Sequence, residues 1–352
     1  MEIIKTGLAA FGMSGQVFHA PFIQSNPHFE LTKIVERNKE LSRERYPQAT
    51  IVRSFKDLLK DKEIELVVIN TPDDTHYEYA KMALKARKHV IVEKPFTKTS
   101  KEGRKLIKLA EKKGRMLSVY QNRRWDSDFL TVKSVIDKKL VGRIVEFEST
   151  FARYRNFIKP DTWKETGKLG GGLTYNLGSH LIDQAIQLFG KPQAVYAEID
   201  TLRSNGKVDD YFLIRLLRPT FFPSIKITLK ASYLMCEPEP RFVLHGTEGS
   251  YIKHGTDNQE AALLAGENPE QDGWGSETED QWGILRTQSE ENCFYGKYPS
   301  IPGNYQLFYE NIYEHLRLRK RLETDAREIL PVIKVIEAAF RSQREGKLIT
   351  IK

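Results

Sequence analysis

Three groups of residues carry chemistry by their type and spacing. An apolar run from Ile3 to Leu8 leads into Ala9-Ala10-Phe11-Gly12-Met13-Ser14-Gly15, which fits the G-x-G-x-x-G fingerprint with Ala10 in the first glycine slot. Gly12 lets the backbone approach a pyrophosphate, Gly15 lets a helix pack closely on the strand, and the turn Gly12, Met13, Ser14, Gly15 opens a helix whose N-terminal amides can hold phosphate. Glu36 follows about 20 residues on, at the end of a second apolar run, where it would hydrogen-bond the ribose hydroxyls of an adenosine and repel a 2′-phosphate. Its neighbour Arg37 would pair with that phosphate or stack on adenine. Glu36 speaks for NAD and Arg37 for NADP, and the residues lean to NAD.

The second group is Glu93-Lys94-Pro95, directly after the strand-like run Val90 to Val92, and the third is the stretch from Gly170-Gly171-Gly172 through Asn176, His180 and Asp183. A lysine before proline is either a strand terminator with a solvated ammonium or, at the carboxyl edge of an α/β sheet, a cation at a site. Asn176 and His180 are four apart and share a face if the segment is helical, which orients the imidazole. Oxidising a secondary alcohol requires a hydride acceptor, a base for the hydroxyl proton and a cation beside the developing alkoxide. A nicotinamide, His180 and Lys94 are suited to these parts. No metal is indicated, because the eight histidines show no ligand spacing and the two cysteines, Cys236 and Cys293, lie far apart.

The elements that must position these groups fall into two patterns. Up to about residue 120, short apolar runs (Ile3 to Leu8, Leu31 to Val35, Leu66 to Ile69, Val90 to Val92, Leu117 to Tyr120) alternate with helical patterns such as Tyr77 to Ala86 and Glu102 to Lys113. Continuous apolar strands between helices predict a parallel, doubly wound sheet covered on both faces. After a helix marked by Phe129, Val132 and Ile136, alternating runs at Ile144 to Tyr154, Ala194 to Asp200, Asp210 to Leu217, Ser224 to Ser232 and Arg241 to Lys253 predict an open-faced, mainly antiparallel sheet. The expected organisation is a dinucleotide-binding domain over 1–120 and an α+β substrate and oligomerisation domain over 121–352. The latter includes a long arm at about 255–304, whose acids from Asp257 to Asp280 meet no Lys or Arg before Arg286, and a helix at 326–344 that could pack back on the first domain.

Composition narrows the partners. A chain of 352 residues that is 40% hydrophobic supports about two cored domains, and its net charge of +8 is spread through 29% charged residues of both signs. The denser basic runs, Lys101 to Arg115 and Arg317 to Arg321, interleave with apolar residues at helical spacing and read as solvated helix faces, not a nucleic-acid surface. No stretch approaches the roughly 18 apolar residues of a membrane helix, and the start does not resemble a signal peptide, so a cytoplasmic protein is expected.

At these residues the sequence resembles the glucose-fructose oxidoreductase, inositol dehydrogenase and rhizopine-catabolism (Gfo/Idh/MocA) family over essentially the whole chain. The motifs that carry the resemblance are Asn70-Thr71-Pro72 with His76, Glu93-Lys94-Pro95, Asn122-Arg123-Arg124-Trp125-Asp126 and the glycine-rich stretch through His180 and Asp183, in the family's order. Phe18-His19-Ala20-Pro21-Phe22 and Trp274-Gly275 look most like the bacterial NADP-linked scyllo-inositol dehydrogenase branch. The resemblance implies a Rossmann domain followed by an α/β domain, substrate bound between the nicotinamide and the second domain's sheet, Lys94 and His180 as catalytic residues, and Asn176 where the family usually has Asp. It further implies cofactor contacts from Thr71, Pro72, His76, Glu93 and Lys94, with Asn122 and Trp125 bracing the nicotinamide end. By residue chemistry, Arg153, Tyr154, Arg155, Trp163, Asp183 and Tyr305, with Lys94 and His180, are the candidate contacts to a polyol or sugar. The expected protein is an NAD(P)-dependent oxidoreductase of a cyclic polyol or sugar, a homodimer or homotetramer through its second sheet. The alternative is a non-catalytic regulator of the same fold that senses NAD(P) or a sugar.

Overall fold

The strand Leu66–Ile69 is apolar at every position and wholly buried, as a central parallel strand must be. It is one of six in the first sheet: β1 Ile4–Leu8, β2 Phe29–Val35, β3 Thr50–Val52, β4 Leu66–Ile69, β5 His89–Val92 and β6 Leu117–Val119. They run parallel in the order β3-β2-β1-β4-β5-β6, the doubly wound order whose direction of winding reverses between β1 and β4. The computed structural model describes residues 2–159, 162, 165, 167, 170–217, 225–288 and 293–351. Trp163 and the start of the expected strand at Ser224 lie outside them.

Helices follow their local signals. Ser100–Lys113 begins two residues before the apolar periodicity suggests because Thr99 and Glu102 form a capping box, and it ends at Gly114 in the left-handed region. Its buried face is Ser100, Gly103, Leu106 and Ala110, while Lys101, Arg104, Lys105 and Lys108 are exposed, so this basic run is a solvated face. Arg317, Lys320 and Arg321 of the other run pair with Glu65, Glu314 and Glu328.

The second sheet has nine strands: β7 Ile144–Ala152, β8 Ala194–Asp200, β9 Tyr211–Leu217, β10 Lys226–Ser232, β11 Phe242–Gly246, β12 Gly249–Lys253, β13 Gly283–Gln288, β14 Cys293–Tyr298 and β15 Ile349–Thr350. The order is β14-β13-β12-β11-β7-β10-β9-β8-β15, antiparallel except where β10 meets β7. Its inner residues pack on helices of the same unit, with the Phe147 ring 5.0 Å from Phe189 of helix Ser179–Phe189. The expected single run Arg241 to Lys253 is a hairpin, folded at Thr247 and Glu248 between β11 and β12.

The chain packs as two compact units, a first of Met1–Asn122, Gln259–Trp274 and Asn304–Leu330 and a second of Arg123–Asn258, Gly275–Gly303 and Pro331–Lys352. Two segments from beyond the expected boundary at residue 120, Gln259–Trp274 and Asn304–Leu330, pack with the first unit. Helix Gln306–Leu318 returns to the first unit because it buries Phe308, Tyr309, Ile312 and Tyr313, with Phe308 edge-on to Tyr120 at 4.7 Å. Helix Ala326–Glu345 changes unit after Leu330. Among the described residues, the expected arm supplies helix Gln259–Leu264, β13 and β14. Its acid Glu277 meets a cation that precedes the run, Lys253, at 3.2 Å, with both side chains buried.

Candidate functional site

In the first unit the glycine turn leaves β1 at the point where the sheet's winding reverses, which is where open α/β sheets bind ligands. Asn70, just past β4, fixes the turn by donating to the Ala10 carbonyl (2.8 Å) and accepting from the Ala10 N–H (3.0 Å). The helix that follows winds its first turn, Gly15–His19, with i→i+5 bonds and continues as Ala20–Ser25. A Cβ on Gly15 would lie 2.7 Å from the Ala10 carbonyl oxygen and 2.8 Å from Asn70 Nδ2, so close packing explains that glycine. A Cβ on Gly12 would meet nothing within 4 Å. Protein packing gives no reason for Gly12, whereas a pyrophosphate laid against the backbone does, and the turn fits a dinucleotide. Gly12 and Met13 are exposed and Ser14 half-buried.

Glu93 and Lys94 follow β5, at the same edge of the sheet, and the Lys94–Pro95 peptide is cis. The buried Glu93 carboxylate accepts from Ser14 Oγ, from His19 Nε2 (3.1 Å) and from the Lys94 N–H (3.0 Å). Burial by itself would push its pKa up. The His19 hydrogen bond and charge, Ser14 and the nearby Lys94 outweigh burial and bring it down to about 2. His19 Nδ1 in turn lies 2.7 Å from the Tyr309 hydroxyl.

Several expected cofactor contacts have other roles. Glu36 is buried, and its carboxylate accepts from Leu41 N–H (2.8 Å), Ser42 N–H (2.9 Å) and Ser42 Oγ (2.5 Å). It organises its own loop instead of reaching toward a ribose, while Arg37 beside it is exposed. His76 is also buried, with Nδ1 2.9 Å from the Pro95 carbonyl and Nε2 3.0 Å from the Thr71 carbonyl, so it braces the Thr71 and Pro95 backbones instead of facing a ligand. Thr71 Oγ1 lies 2.6 Å from Thr75 Oγ1, Pro72 is exposed, and Asn122 and Trp125 are buried.

In the second unit the glycine stretch leads into a turn with i→i+5 bonds, Thr174–Gly178, that carries half-buried Asn176, and then into Ser179–Phe189, which carries His180, 3% exposed. The helix start is held by Asp209, which accepts from the Thr174 N–H through its carboxylate (2.6 Å) and from the Leu173 N–H through its carbonyl (2.8 Å). Burial pushes the Asp209 pKa up, against the hydrogen bond from the Thr174 N–H. Asp183 is not a substrate contact: it is 1% exposed and paired in fork geometry with Arg124, at 2.7 and 2.6 Å. Tyr305, in the first unit, is fully buried with its ring against Phe18 and Phe22, and belongs to the core. Arg153, Tyr154 and Arg155 leave the end of β7 on a half-buried to exposed rim, with Arg155 over the Tyr233 ring at 5.6 Å.

Sequence reasoning did not find His19, Tyr309, Asp209 or Arg124 as site residues. His19 had a signal, four residues after Gly15 on the helix that leaves the turn; Tyr309 and Asp209 act across long sequence separations and had none.

Both units match one family. Residues 4–121 match its NAD-binding Rossmann fold and residues 133–351 its C-terminal alpha/beta domain; the chain belongs to the Gfo/Idh/MocA oxidoreductases. It is 36% identical over 352 residues to scyllo-inositol 2-dehydrogenase (NADP(+)) IolW of Bacillus subtilis (strain 168), covering 100% of this chain and 97% of that protein. It is 38% identical over 341 residues to the uncharacterized oxidoreductase YdgJ of Escherichia coli (strain K12), covering 97% and 96%. A solved Bacteroides fragilis structure, described as an oxidoreductase with no substrate named, superposes with a TM-score of 0.92 at 67% identity, covering 99% of this chain and 100% of that one. The protein is an NAD(P)-dependent oxidoreductase of a small-molecule substrate. No helix among the described residues is long and apolar enough to cross a membrane.

Proposed function

We propose that this oxidoreductase uses NADP and interconverts a secondary alcohol and ketone of a cyclic polyol or sugar. The observation that carries the reading is Glu93, one carboxylate that ties the open glycine turn, through Ser14, to Lys94. Glu36, turned into its own loop, does not oppose a 2′-phosphate, and exposed Arg37 is there to pair with one. The relative named for NADP(+) agrees.

When bound, the nicotinamide supplies the hydride acceptor or donor, with Gly12, Met13, Ser14 and Arg37 as the residues that would hold the dinucleotide. The Lys94 ammonium stabilises the developing alkoxide in oxidation and polarises the carbonyl in reduction. His180 takes the hydroxyl proton, and Asn176, in the family's usual Asp place, can accept from a ring N–H without adding negative charge. Arg153, Tyr154 and Arg155 suit a hydroxyl-rich substrate. The outer row Ile284, Ile252 and Val243 of the second sheet, in register and half-buried, supports association into a homodimer or homotetramer. The free, exposed Cys236 and Cys293 suit a reducing cytoplasm.

The test is a screen of inositols and aldoses with both cofactors, following absorbance of the reduced nicotinamide. NADP-linked turnover is expected, and Arg37→Ala should lower kcat/KM with NADP by about 10-fold or more while sparing NAD, the worth of one charge-assisted hydrogen bond. A preference for NAD untouched by Arg37→Ala would overturn the cofactor assignment. Tight NADP binding with no turnover of any polyol or sugar would favour the regulator.

A further inference from the structure

We propose that His19 and Tyr309 are positioning residues, which hold Glu93 as the strut between the glycine turn and Lys94, so that Lys94 depends on two side chains that touch neither substrate nor cofactor. The proposal rests on Lys94 being the catalytic lysine, as argued above. Both side chains are 0% exposed, which bars them from ligand contact. They form one directed chain with Glu93: the hydroxyl of Tyr309 on helix Gln306–Leu318 lies 2.7 Å from His19 Nδ1, and His19 Nε2 lies 3.1 Å from Glu93. An ionised carboxylate can only accept, so Nε2 must carry the hydrogen that goes to Glu93. Nδ1 is then left for Tyr309, as acceptor on a neutral ring or donor on an imidazolium.

The chain is stable in this sense because Tyr309 keeps its proton: burial, then the Glu93 charge, pushes its pKa well up. The groups that face Glu93 are Ser14 and His19 from the first helix, Tyr309 beyond His19, and Lys94 next to it in sequence. Among these, His19 makes the largest opposition to burial. Without it the still-ionised carboxylate loses a donor that fixes its place, and the Lys94 ammonium loses an ordered negative charge beside it. Removing His19 should thus act on Lys94 even though the side chains differ in sequence by 75 positions.

The experiment compares wild type with His19→Leu, His19→Gln and Tyr309→Phe. Gln keeps an N–H near the place of Nε2; Leu keeps bulk only. The first readout, independent of activity, is the titration of Lys94 by NMR of reductively 13C-methylated protein, with its resonance assigned by its loss in Lys94→Ala. The second is the pH profile of kcat/KM for carbonyl reduction. His19→Leu should lower the Lys94 midpoint by about one unit, move the basic limb to lower pH and cut kcat by about 10- to 100-fold, with cofactor affinity within about twofold. His19→Gln should restore most of each change, and Tyr309→Phe should shift the midpoint in the same direction by less. If the Leu variant does not fold, the Gln and Phe variants decide, since a Lys94 midpoint unmoved in Tyr309→Phe overturns the proposal. A Leu variant that is less stable but titrates like wild type also overturns it. A wild type that turns over no substrate would defeat the functional reading, while the Lys94 titration would still judge this one.

Discussion

Two helices in this protein start after glycine turns, wind their first turn with i→i+5 bonds, and are held by one carboxylate from a distant segment of the same unit; their electrostatics are opposite. At Gly15–His19 the carboxylate is Glu93, which meets a hydroxyl, an imidazole and an amide and titrates at about 2. At Thr174–Gly178 it is Asp209, which burial pushes up against the Thr174 amide and weaker backbone help. The glycines differ likewise. Gly12 faces open space, whereas a Cβ on Gly172, at φ +86°, would lie 2.0 Å from Asp209 Oδ1. On the proposed reading the open space at Gly12 receives the dinucleotide, whereas the second start is closed on itself by Asp209. Donor number and kind, not burial alone, separate a working anion from a clamp.

The largest expected effect tests whether both helix starts serve one reaction. Lys94→Ala and His180→Ala should each lower turnover by roughly 10² to 10⁴, the range for losing positioned acid–base help, with cofactor affinity little changed. Near-normal turnover in either variant would remove that unit's start from the chemistry.

The contrast between open and closed glycines gives the next effect. Gly12→Val should weaken NADP binding by about 100-fold, on the order of one or two lost backbone–phosphate contacts, and leave the melting temperature in place. Gly172→Ala should do the reverse, with a stability loss of about 2 to 4 kcal/mol from the positive φ and the displaced Asp209. Fluorescence titration and thermal melts on both proteins check the pair. An unstable Gly12→Val would mean that packing, not ligand, requires that glycine.

The smallest effect is the sign of a pH dependence. Glu93 has a depressed pKa, so its contribution, on the order of 3 kcal/mol, is present above its ordinary value of 4.5 and fades as pH falls toward 2. Asp209 has a raised pKa, so its ionised form costs stability at neutral pH, and the cost shrinks as pH falls through the raised value and is gone below the ordinary 3.8. Urea unfolding between about pH 3 and 8 should show the deficit of Glu93→Gln shrinking toward acid. Relative to wild type, Asp209→Asn should be at its best at neutral pH and lose ground on acidification. Parallel curves for both variants would erase the distinction between the two carboxylates.

Much of this arrangement was legible in the chain. Leu66–Ile69, with no polar alternation, declares a strand covered on both faces, and Ala194–Asp200 declares one with a single buried face, because side chains in strands alternate sides. The glycine turn was legible because only small residues allow a backbone that close to a helix start or a phosphate. The hairpin at Thr247 and Glu248 was not, since alternation continues through β11 and β12 and hides the reversal. Spacing after the glycine turn points Glu36 at a ribose and residue chemistry points Asp183 at a polyol, but a carboxylate pairs with whatever donors folding brings to it. Here those are Leu41 and Ser42 for one and Arg124 for the other.

By itself the sequence determined the two sheet types, the dinucleotide turn and the identity of Lys94 and His180 as the groups with suitable chemistry, because these follow from periodicity, glycine sterics and side-chain type over short spans. The tertiary structure decided which polar groups are free to act. It buried Glu36 in its own loop, closed Asp183 on Arg124, brought Tyr309 from a returning helix onto His19, and shifted Glu93 and Asp209 in opposite directions from the ordinary carboxylate value. Those outcomes depend on donors and desolvation supplied by residues tens to hundreds of positions away, and local pattern does not encode such neighbours.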